Sequence, residues 1–141
     1  MRFIPLLIIS LFICACSQEE KEYSTIIPQV QEVQNSASYF DLSDFKLYAT
    51  TYTFATAELL SLELEKLDYK IDSILPFEDP IELNSVNLLI DTTLNDNSEY
   101  YELTIKKDFV LIKGASREGL IHGIYSLIQL IPRSSGMNLI V

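Results

Sequence analysis

From Thr53 to Tyr69, apolar side chains recur at Phe54, Ala57, Leu60, Leu64 and Leu67, in steps of three and four residues. Glu58, Glu63, Glu65, Lys66 and Asp68 fall mainly on the other side. That period describes one face of an α-helix, and Thr53 stands where an N-cap hydroxyl belongs. A second helix is predicted from Ser116 to Ile131, with a stripe of Leu120, Ile124, Leu127, Ile128 and Ile131. Ser116 offers the cap hydroxyl and Glu118 an acid in the first turn. Pro132 ends this helix, because a residue before proline is pushed out of the α region.

Elsewhere the spacing shortens to two. Val86, Leu88 and Ile90 alternate with other residues, and Tyr101, Leu103 and Ile105 alternate with Glu102, Thr104 and Lys106. Phe109 to Lys113 follows a tight Lys107-Asp108 turn, which predicts an antiparallel hairpin with one covered face. Shorter strands are predicted at Gln29 to Gln34, Ser38 to Leu42 and Lys46 to Thr50, separated by Asn, Ser and Asp. Lys70 to Asn84, with Pro76 and Pro80, reads as a loop. Strands and helices do not alternate strictly, so the fold class is α+β rather than doubly wound. The expected architecture is an antiparallel-rich mixed sheet with two helices packed on one face.

Phe3 to Ala15 is a different kind of apolar run. It follows Met1-Arg2 and is shorter than the roughly 20 residues a membrane span needs, which suits the core of a signal peptide. Ile13-Cys14-Ala15-Cys16 at its end resembles a bacterial lipobox. That resemblance implies cleavage after residue 15 and lipidation of Cys16. Cys14 would then leave with the peptide, so the exported chain would hold no disulfide. Residues 16–24 read as an acidic tether, and Ser17 after the lipidated Cys resembles an outer-membrane sorting pattern. The expected location is the cell envelope, with the chain lipid-anchored in a Gram-negative outer membrane.

Charge narrows the partners. The 141 residues carry 20 acidic against 10 basic side chains, a net charge of −10, and loss of Arg2 takes it to −11. An acidic surface repels phosphate, so no nucleic-acid partner is expected. It also repels an anionic membrane, which leaves attachment to the acyl chains. A chain of this length cannot hold a (β/α)₈ barrel of roughly 250 residues.

Catalytic chemistry is sparse. His122 is the single histidine, and with no second His or free Cys in the mature chain a metal site lacks ligands. It reads as a half-buried or surface imidazole on a packing helix. Glu63/Glu65, Glu78/Asp79, Asp91 and Asp96 offer carboxylates for glycosidic hydrolysis, yet 20 acids in a short chain produce such pairs by composition. No catalytic, cofactor-binding or metal-binding residue is assigned, and no cofactor is expected. Gly119 and Gly123 each cost about 1 kcal/mol against Ala inside a helix. Four residues apart, they share a face and read as a close packing contact. A phosphate loop built on Gly114 and Gly119 fits neither nucleotide-binding spacing.

Two stretches carry a resemblance. The first is Ile26-Ile27-Pro28-Gln29-Val30-Gln31-Glu32-Val33, then Tyr39 to Leu42; the second is Glu99 to Ile105, then Val110 to Ser116, continuing through Gly119 to Pro132. Together the chain resembles the N-terminal, non-catalytic domain of bacterial β-N-acetylhexosaminidases, glycoside hydrolase family 20. The resemblance implies an α+β domain over residues 25–133, with 134–141 beginning a linker to a catalytic barrel. In the full enzyme that barrel acts on a glycan through an Asp-Glu pair. None of those barrel motifs lies in these 141 residues. The expected function is therefore the non-catalytic part of an exo-acting hexosaminidase, inactive by itself and truncated before its barrel. A stand-alone lipid-anchored module binding glycans or protein, and the leading domain of another glycosidase, are the alternatives.

Overall fold

The computed structural model describes residues 39–77, 81–131 and 138–140, the last three as backbone only. The signal run, Cys16, the tether, the Gln29–Gln34 strand, Glu78/Asp79 and Pro132 lie outside the described residues. The described elements, in chain order, are strands β1 (Tyr39–Asp41) and β2 (Lys46–Ala49), helix α1 (Phe54–Glu65), strands β3 (Ile74–Pro76), β4 (Ser85–Ile90), β5 (Tyr101–Ile105) and β6 (Phe109–Gly114), helix α2 (Arg117–Leu130) and strand β7 (Asn138–Ile140).

Five strands form one sheet in the order β3-β2-β4-β6-β5. Both helices pack against it and against each other in a single layer, so the α+β class and the shared helical face hold. The expected antiparallel character does not. β2 pairs in parallel with β3 and β4, and β4 pairs in parallel with β6, leaving β5–β6 as the antiparallel pair of this sheet. The hairpin at Lys107-Asp108 forms as expected, closed by the Lys106 N–H donating to the Phe109 carbonyl at 2.9 Å. However, β6 uses its other edge for β4, so β5 is carried to the outside of the sheet.

Burial explains why β4 sits in the middle. Ser85, Val86, Asn87 and Leu88 are all buried, so both faces of this strand are covered. Near-continuous apolar runs such as Leu88-Leu89-Ile90 and Phe109-Val110-Leu111-Ile112 belong to parallel strands hidden on both sides. Asn87 survives there because its amide nitrogen donates to Ser85 Oγ at 2.7 Å and to the Val110 carbonyl at 3.2 Å.

On the helical side, the register aligns Leu47, Val86, Val110 and Ile105 across four strands, then Ala49, Leu88, Ile112 and Leu103 one step along. Ala57, Leu60 and Leu64 of α1 and Leu120, Ile124 and Leu127 of α2 close over these rows, all of them fully buried. At roughly 1.5–3 kcal/mol for each large aliphatic side chain buried, this one cluster dominates the stability. Phe40 joins it, meeting Phe45 edge-on at 6.2 Å between ring centroids.

Three local expectations change. Ile74–Pro76, assigned to a loop, adds a short strand beside β2; its Pro76 fits because an edge strand can forgo a ladder donor. α1 ends at Glu65 rather than continuing to Tyr69, and Asp68 takes a left-handed conformation with φ 67°. The Tyr69 N–H then donates back to the Leu64 carbonyl at 3.0 Å, closing the helix end. Thr53 occupies the N-cap position of α1 without a side-chain cap. Its hydroxyl instead donates to the Leu88 carbonyl at 3.1 Å and accepts from the Thr50 N–H at 2.8 Å, tying the helix start to β4.

At the other end of the chain, Asn138–Ile140 pairs antiparallel with Tyr39–Asp41. Residues beyond a domain edge at 133 thus return to the first described strand.

Candidate functional site

The residues singled out on α2 lie against the end of the β5–β6 hairpin, and their neighbours explain the two glycines. A Cβ at Gly119 would run into the Tyr100 carbonyl oxygen and come within 3.0 Å of the Ser98 carbonyl oxygen. Both oxygens are already engaged. Ala115 donates its N–H to Tyr100 at 2.9 Å, and Gly119 donates its own to Ser98 at 3.2 Å. The first turn of α2 is therefore bonded to the backbone of the β4–β5 connection with no room for a side chain between them. At Gly123 the obstacle is side chains: a Cβ would overlap Ile112 Cγ2 and stand 3.2 Å from the Tyr101 ring. Both glycines are buried on the face that α2 turns to the sheet.

Polar bonds reinforce this contact. Ser116 caps α2, accepting from the Glu118 N–H at 3.0 Å. Its hydroxyl also lies 2.5 Å from Glu118 Oε2 and 2.7 Å from the Ser98 carbonyl oxygen. The Ser116 hydroxyl, followed by backbone hydrogen bonding, holds the Glu118 carboxyl below the usual range. Deeper in, Tyr101 Oη and Ser126 Oγ are 2.7 Å apart, and Ser126 is 1% exposed. Sequence reasoning assigned Tyr101 to packing and did not single out Ser126. Its place on the Gly119–Gly123 side of the helix, three residues beyond Gly123, was the available signal.

Among the described residues, the acidic side chains form separate local contacts. Glu63 bonds to Lys66 at 2.7 Å one turn along α1. Asp91, at the end of β4, accepts from the Thr93 hydroxyl at 2.6 Å and the Thr93 N–H at 3.0 Å, which lowers its pKa. Asp41 is lowered in the same way by Ser43. Each of these shifts stabilises the charged form, the opposite of what raises a carboxyl into a general acid. Among the described residues, no group of three or more His, Cys, Asp or Glu is placed to hold a metal ion. His122 is half-buried on α2.

Among the described residues, six large apolar side chains are exposed: Tyr39, Tyr52, Phe54, Leu62, Leu83 and Tyr125. Tyr101 packs against Gly123 and bonds to Ser126, whereas Tyr125 of α2 is 40% exposed. Phe54, expected in the buried stripe of α1, is 45% exposed, whereas Thr56 is buried with Ala57 and Leu60. Among the described residues, no helix is long and apolar enough to cross a membrane.

What these features define is a small α+β domain stabilised by a glycine-lined helix contact. The family model described as glycosyl hydrolase family 20, domain 2, matches residues 23–139. The chain belongs to that family, and the resemblance read from its sequence holds. No curated protein matches the sequence. Among solved structures, the fold is similar to β-N-acetylhexosaminidase from Bacteroides fragilis, with a TM-score of 0.63 and 17% identity over 82% of this chain and 23% of that one. It is also similar to the exo-β-N-acetylglucosaminidase of family 20 from Vibrio harveyi solved with N-acetylglucosamine. There the TM-score is 0.55 and the identity 18%, over 77% of this chain and 16% of that one. The chain thus spans less than a quarter of either solved enzyme, and at these identities the likeness is one of fold. Together they make this a glycosidase-related domain.

Proposed function

We propose that the chain is the non-catalytic N-terminal domain of an exo-acting β-N-acetylhexosaminidase, which removes terminal N-acetylhexosamine from glycans. The observation that carries this reading is the domain 2 match across residues 23–139. In this reading the catalytic barrel lies outside these 141 residues and is the domain's partner, and the glycan is bound by the full enzyme alone. The described part of the chain supports a structural role. Its lowered carboxyls are solvated and separately bonded, and the α2 contact is filled by helix and sheet rather than open to a ligand.

Location follows from the N-terminal residues. Cys16 carries lipid, residues 1–15 are removed as a signal peptide, and the acidic tether holds the domain off an outer membrane. Ile13-Cys14-Ala15-Cys16 after a short apolar run supports this assignment.

The activity test uses the purified chain from Ser17 onward with a chromogenic N-acetylglucosaminide, beside a complete family 20 enzyme. The expected result is turnover by the complete enzyme alone. Turnover by this chain that survives repurification, and is abolished by changing one of its own carboxylates, would overturn the non-catalytic assignment.

A further inference from the structure

We draw no further inference here: the strongest candidate, the outward surface of the helical layer where Phe54, Leu62 and Tyr125 stand exposed, carries nothing because the structure does not show what covers it.

Discussion

Replacing Gly119 by Ala sets two effects of known size against each other. Helix propensity alone favours Ala by about 1 kcal/mol, so a helix free on this side would gain stability. In the fold, the added methyl meets the Tyr100 and Ser98 carbonyls. Backbone oxygens cannot rotate aside as a side chain can. The first turn of α2 must therefore lift from the β4–β5 connection, weakening the Gly119-to-Ser98 and Ala115-to-Tyr100 hydrogen bonds. At roughly 1 kcal/mol for each bond, plus about 1–3 kcal/mol for overpacking, the loss exceeds the propensity gain. Less the propensity gain of about 1 kcal/mol, the expected net cost is about 2–4 kcal/mol. At roughly 4 °C per kcal/mol for a domain a little over 100 residues, the midpoint of thermal unfolding should fall by at least about 8 °C. Urea unfolding of the same variant should show a lower midpoint at unchanged slope, which separates lost stability from a changed denatured state. A midpoint equal to or above that of the parent chain would refute the close contact and leave propensity as the dominant effect.

Four further outcomes test other parts of the account. Gly123→Leu should also lower the thermal midpoint, because the side chain must displace Ile112 and the Tyr101 ring; an unchanged midpoint would mean that this face of α2 is open. Tyr101→Phe should cost about 1 kcal/mol in urea unfolding, and a double-mutant cycle with Ser126→Ala should show coupling; additive losses would mean that the two hydroxyls do not bond. Glu118 has a carboxyl held below its ordinary value of 4.5, so its contribution is complete above that pH and disappears as pH falls through the lower folded value. Stability measured from pH 6 to pH 3 should accordingly drop less steeply in Glu118→Gln, and identical profiles would count against the Ser116 bond as its cause. Finally, Cys16→Ala should abolish incorporation of a lipid label and release the chain from the membrane fraction; a variant still labelled and still membrane-bound would overturn the lipid-anchor assignment.

The sequence by itself determined the elements whose pattern is local. In the α2 stripe, Leu120, Ile124, Leu127 and Ile131 are buried where their spacing placed them and Ile128 is half-buried against the core, and Ser116 caps the helix. The hairpin was legible because a two-residue turn between the alternating Tyr101–Ile105 segment and the apolar run after it fixes its own register. Residue identities also carried the family, through the strand-to-helix stretch from Glu99 to Leu130 that lies within the match.

Tertiary structure decided what depends on partners distant in the chain. Which edge of β6 receives β4, and in which direction, leaves little trace in either segment's alternation, since parallel and antiparallel neighbours accept the same side chains. The trace that existed was the apolar continuity of β4 and β6. Ile74–Pro76 is too short to show a period, and becomes a strand through its pairing with β2. Thr53 has the residue type of a helix cap, yet its hydroxyl donates to the Leu88 carbonyl 35 residues away. The glycines at 119 and 123 announced a close approach by their cost within a helix. Only the fold showed that one faces backbone carbonyls and the other faces side chains, which makes the first the less forgiving of the two.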